Sequence, residues 1–397
     1  MADDGGLKKY GVPIYGAAWV PSGVIISAPE SEPEEDGDSM VPADKLSSLT
    51  ADNYIVLAGG GGEGRSGVPN AILLVQFDSG SHVLSNQPVA RLGTGTEVPY
   101  RMAVHPGGEG LICSLPKSCR WFEWDASNTT DDGALALKSS QRVLKNLEDI
   151  ELQLALTFNN EGSLLAVGGE DGKLKVFKWP SMEIIIDEPK DSSSVKDLDF
   201  SPDGKFLVSL ESGCCRVWSV SELTLVASLP KKNDEMFGFC RFSRSSKNQT
   251  IYVTASQGKG GSIVMWNTTT WKRMNSKLVV SLPISAFDVS ADGKLLAVGT
   301  TEGEVRVLSS ENMRVLMTVK KAHMGIPTKV TFSDDSRALL SASMDSSARV
   351  TLIKDNNSKN GGFNFWMILF VILLAIAMYY STQEGKLSWQ HNFPFKF

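Results

Sequence analysis

Apolar and polar residues alternate in short bursts along most of this chain, and the bursts recur in a fixed order. The stretch LALTFNNEGSLLAVGGEDGKLKVFKW (154–179) returns as VKDLDFSPDGKFLVSLESGCCRVWSV (195–220), ISAFDVSADGKLLAVGTTEGEVRVLSS (284–310) and PTKVTFSDDSRALLSASMDSSARVTLI (327–353). Two looser copies are YRMAVHPGGEGLICSLPKSCRWFEW (100–124) and GFCRFSRSSKNQTIYVTASQGKGGSIVMW (238–266). Each copy reads as an alternating strand, a tight turn, a strand of small and β-branched residues, a second turn and another alternating strand. Asp203-Gly204, Asp292-Gly293 and Glu161-Gly162 supply the positive φ that such turns need. Aligned on the residue before the turn, Phe158, Phe200, Phe242, Val289 and Phe332 are spaced by 42, 42, 47 and 43 residues.

A period of 40–45 residues with four strands per unit is the signature of a WD-repeat propeller. Six units fit 100–145, 150–190, 195–230, 236–281, 284–320 and 326–353. A seventh precedes them, with strands in PIYGAAWV, NYIVLA, AILLVQF and VLSNQPVARL. The expected fold is all-β, a seven-bladed WD-repeat-like β-propeller over residues 1–353. The last unit lacks a clear fourth strand, and the N-terminal GLKKYG is the candidate to supply it and close the ring.

Two stretches break the alternation. Residues 29–53 hold eight acidic residues and one lysine, so the rest of the chain is close to neutral although the net charge is −6. This reads as a disordered acidic insertion, solvated only or regulatory. Residues 365–380, FWMILFVILLAIAMYY, are uncharged throughout. They predict one transmembrane helix over 363–382, after a polar tether at 354–362 and before a lumenal tail at 383–397. With no signal peptide at the start, the expected arrangement is a single-pass type II protein with the propeller in the cytosol. The short span suits the endoplasmic reticulum.

The remaining irregularity is LAGGGGEGRSGVPN (57–70), between two strands of the first blade. Gly59-x-Gly61-x-x-Gly64 matches a dinucleotide fingerprint formally, but that fingerprint needs a following helix, and AILLVQF is a strand pattern. No Gly-Lys-Ser/Thr follows for a P-loop. A glycine run of this length is either a flexible hairpin tip or a loop that something orders. Its bare carbonyls suit a hard monovalent cation, with Glu63 adding charge and Arg65 opposing it. The acidic balance gives no reason to expect nucleic-acid binding. The five cysteines include no CxxC pair and read as reduced thiols. No nucleophile–base motif or metal-ligand spacing supports an enzyme.

Together, YGVPIYGAAWV (10–20), GGGGEG-x-x-G-x-PN, six further blades, KKAHMGIPTKVTFSDDSRALLSAS (320–343) and the apolar C-terminal run resemble the Sec-twelve type of guanine-nucleotide exchange factor. That family starts COPII coat assembly at the endoplasmic-reticulum membrane, and the likeness spans essentially the whole chain. It implies exchange on a Sar-type small GTPase, with no covalent chemistry, in transport from the endoplasmic reticulum to the Golgi. It implies a potassium ion held by the backbone carbonyls of Gly59, Gly60, Gly61, Gly62, Glu63 and Gly64. It also implies that Asn70 drives exchange as a wedge, with Pro69 and Val68 touching the GTPase. The alternative is a non-catalytic membrane-tethered scaffold or a cargo-specific export helper.

Overall fold

The computed structural model describes residues 6–24, 54–64, 66–125, 135–189, 193–232, 234–245, 249–353, 369–370 and 372–380. The chain divides into two units, Met1–Leu352 and Ile353–Phe397. The first unit is built of seven antiparallel sheets, six of four strands and one of five, as the repeat period predicts. The first blade contains β2 (Ile14–Trp19), β3 (Tyr54–Gly59), β4 (Asn70–Asp78), the short β5 (Val83–Leu84) and β6 (Ala90–Gly95). Its outer strand is β6, paired to β4, so the segment VLSNQPVARL divides between two strands where one was expected.

Alternation explains where the core lies. Successive side chains of a strand point to opposite faces, and a propeller blade has a neighbour on both. In β3, Ile55 and Leu57 pack toward the last blade with Leu340 and Val350, while Tyr54, Val56 and Ala58 pack toward the second with Leu111 and Trp124. All six residues of β3 are buried for that reason. The turns repeat a single device. Ser201 Oγ donates to Asp203 Oδ1 at 2.6 Å and Ser290 Oγ to Asp292 Oδ1 at 2.7 Å, with Gly204 and Gly293 both at φ 69°.

The ring closes as GLKKYG suggested. Strand β1 (Leu7–Lys9) pairs antiparallel with the third strand of the last blade, Leu7 opposite Arg349 and Lys9 opposite Ser347. Tyr10 then bridges the junction, its N–H donating to Ser346 O at 2.9 Å and its hydroxyl to Ser85 O at 2.9 Å.

The second unit corrects the expectation of a membrane anchor. Its described helical residues are 369–370 and 372–380, and among the described residues no helix is long and apolar enough to cross a membrane. The transmembrane helix expected over 363–382 is thus not found among the described residues. Contact with the endoplasmic-reticulum membrane through them, and single-pass localisation there, fall with it. The acidic insertion 29–53, the tether 354–362 and the tail 383–397 lie outside the described residues.

Candidate functional site

The glycine loop joins β3 to β4, whose register sets Gly59 opposite Ala71. Its conformation is held from below by Asn70. Asn70 is only 5% exposed, and its carboxamide turns inward under the loop. Oδ1 accepts from Gly62 N–H at 2.9 Å, and Nδ2 donates to Gly62 O at 3.3 Å and Gly95 O at 3.0 Å. The amide thus offers Gly62 the donor and acceptor that a facing strand residue would offer. Gly60 N–H is taken by Pro13 O at 3.0 Å. Above this floor, Ser66 Oγ accepts from Val68 N–H at 3.3 Å. Pro69 is exposed and Val68 half-buried.

The glycines are not equivalent. A Cβ on Gly60 would lie 2.2 Å from Asn70 Oδ1 and 2.6 Å from Asn70 Cα, and one on Gly61 2.3 Å from Ser66 Oγ. One on Gly64 would meet nothing within 4 Å. Gly60→Ala is therefore expected to displace the Asn70 amide and loosen the loop. Gly64→Ala should leave the loop as it is, with a stability change within about 0.5 kcal/mol. Proteolysis of the loop in the two variants separates them.

Some of the groups expected to serve a potassium ion already have partners. The Gly62 and Gly95 carbonyls both accept from Asn70 Nδ2. Glu63 is paired outward with Lys117 at 2.7 Å on the neighbouring blade. Among the described residues no cluster of His, Cys, Asp or Glu is arranged to hold a metal.

Strand direction fixes which end of the propeller carries the loop. The inner strand of each blade starts at one end, so the hairpin between second and third strands returns to that same end. The glycine loop, the hairpin at Lys117 and the segment His323–Ile326 before the last inner strand all lie there. Glu97 supports the second of these, accepting from Lys117 N–H at 3.2 Å and pairing with Arg120.

A family model described as the anaphase-promoting complex subunit 4 WD40 domain matches residues 156–266, and one described as WD domain, G-beta repeat matches 314–351. SEC12-like protein 2 of Arabidopsis thaliana is 48% identical over 89% of this chain and 90% of its own length. The chain belongs to the SEC12-like family. SEC12-like protein 1 of the same plant is 29% identical over 85% of each chain. Guanine nucleotide-exchange factor SEC12 of Rattus norvegicus is 24% identical over 84% of this chain and 94% of its own.

In this SEC12-like propeller the glycine loop has company that sequence reading missed. Met324 is 81% exposed, Ile326 41% and Met344 45%, at the same end and on the blade next to the loop. They are drawn together by Asp345, whose Oδ2 accepts from Met324 N–H at 2.6 Å and Gly325 N–H at 3.1 Å, and by Met344 N–H donating to Ile326 O at 3.2 Å. The signal available in the sequence was HMGIP beside SASMD, apolar residues placed in turns.

Proposed function

We propose that this chain is a guanine-nucleotide exchange factor for a Sar-type small GTPase, the switch that begins COPII coat assembly for export from the endoplasmic reticulum. The observation that carries the reading is the glycine loop held rigid on the buried Asn70 amide, with Pro69 exposed above it. Membership of the SEC12-like family supports it. An exchange factor must bind the nucleotide-free GTPase better than the GDP-bound form, or it shifts nothing. A loop already ordered loses little entropy on docking, so more of its contact energy is available to favour the nucleotide-free state. Val68 and Pro69 are the surface that meets the GTPase, and Asn70 is the positioning residue beneath them. No covalent step is involved.

The exposed methionines widen the docking face. Met324→Asp combined with Met344→Asp is expected to weaken GTPase association about tenfold, by setting two carboxylates in a desolvated contact. The deciding experiment is GDP release from a Sar-type GTPase with the full chain. Acceleration supports exchange. A folded chain that binds the GTPase without accelerating release is instead a scaffold.

A further inference from the structure

The inner strands of all seven blades enclose an axial cavity of about 530 Å³. It opens beside Tyr100, Ile326 and Met344, at the end that carries the glycine loop. Its three carboxylates are all taken. Asp197 pairs with Arg241 at 2.6 Å and accepts from Cys240 N–H; Asp199 pairs with Arg244 at 2.6 Å and accepts from Phe242 N–H. Asp288 accepts from Phe332 N–H at 3.1 Å and lies 4.0 Å from Arg241. These bonds tie neighbouring inner strands, which share no backbone ladder.

Two further cations have no carboxylate among the described residues. Arg101 donates Nε–H to Leu154 O at 2.9 Å and lies 4.4 Å over the Tyr100 ring, held in place but uncompensated. Lys329 is half-buried in the cavity wall, and its ammonium makes no hydrogen bond or ion pair among the described residues. With Lys196 at the rim, five cations face three carboxylates, a surplus of two. Burial pushes the Lys329 ammonium below its ordinary range, and the Arg241 charge adds to that, against the pull of Asp288 and Asp197. A lysine so placed opposes the stability of the empty protein; packing alone would favour an apolar side chain there.

We propose that the axial cavity binds a dianionic oxyanion of the phosphate-monoester class between Lys329 and Arg101. The surplus of two positive charges matches a dianion rather than a single carboxylate. Lysine supplies a point charge and arginine a planar fork, both suited to phosphate oxygens. The volume lies in the range of small-molecule sites, about 300–1,000 Å³. Tyr15 and Tyr100, with ring centroids 6.0 Å apart and planes tilted by 44°, add aromatic surface for the organic part of an ester. The cavity mouth shares Ile326 and Met344 with the docking face, but the proposal does not rest on GTPase exchange.

The test titrates the full chain calorimetrically with inorganic phosphate and with glycerol phosphate, at ionic strength matched with chloride. Saturable one-to-one binding is expected, weakened at least tenfold in Lys329→Met and in Arg101→Gln and unchanged in Lys117→Met, an exposed lysine at the same end. Tighter binding of the ester identifies an organic phosphate as the ligand, and equal binding identifies free phosphate. A second readout is thermal. Without ligand, Lys329→Met should melt higher than wild type, and saturating phosphate should close that gap. Unchanged affinity in Lys329→Met, or no saturable binding of either probe up to about 10 mM, overturns the proposal.

Discussion

Asn70→Ala is expected to slow catalysed GDP release by about two orders of magnitude while the propeller stays folded. The side chain makes three hydrogen bonds, two to Gly62 in the loop and one to Gly95 at the end of β6, which together tie the loop to the blade. At about 1 kcal/mol each, their loss removes roughly 3 kcal/mol of loop order, which must be regained on docking and corresponds to about a hundredfold in rate. The global cost is smaller, about 1 kcal/mol, because water reaches the orphaned groups of a surface loop. Asn70→Asp should be at least as damaging. It keeps the acceptor for Gly62 N–H but sets a carboxylate against the Gly62 and Gly95 carbonyls. Release kinetics beside an unfolding curve check both variants. Near wild-type release from Asn70→Ala would remove Asn70 from the mechanism.

Mild acid is expected to weaken the closing blade. His323 is 1% exposed, with Nδ1 2.6 Å from Ser347 Oγ and Nε2 2.8 Å from Ser341 Oγ. Burial, with the Arg349 charge adding to it, lowers its pKa from 6.5 to about 4, against the pull of Asp345. The folded protein therefore holds the neutral ring, and the unfolded chain takes up a proton first. Stability from this residue is complete above about pH 6.5 and is lost progressively down to about pH 4, about 3 kcal/mol in all. Asp345, held down to about 2 chiefly by hydrogen bonds from Ser347 and the Met324 backbone despite burial, stays ionised across that window. The urea midpoint of wild type should fall between pH 7 and pH 4.5, and that of His323→Asn should fall less. Parallel curves would assign the acid sensitivity elsewhere.

The fold was legible because a repeat of 42 to 47 residues is long-range information written locally. Five copies aligned on Phe158, Phe200, Phe242, Val289 and Phe332 leave few architectures, and two-sided burial of β3 follows once blades have neighbours. Other features were legible only in part. Asn70 could be singled out, but the inward turn of its amide depends on Gly95, which the pairing of β6 with β4 brings opposite it. Without that partner, nothing in the sequence shows that the Gly62 carbonyl accepts from the Asn70 amide. The apolar run 365–380 suggested a membrane span, and among the described residues no helix is long and apolar enough to be one. The axial charges were visible in principle. In the repeat alignment Asp199, Arg241 and Asp288 each stand one place before the aligned position, and Asp197 and Lys329 three places before. Polar residues on the innermost strand have only the axis to face.

The pairing of Leu7–Lys9 with the last blade also sets an order of events. The closing strand is the first part of the domain to leave the ribosome, and the edge it completes is among the last. Until synthesis reaches Leu352, six sheets can form while that strand has nothing to pair with. During this interval Leu7–Lys9 is open to the finished Ser347–Leu352 edge of another copy, the route by which domains are exchanged between chains. Clipping before Tyr10 would reopen the circle at its first-made and last-joined point.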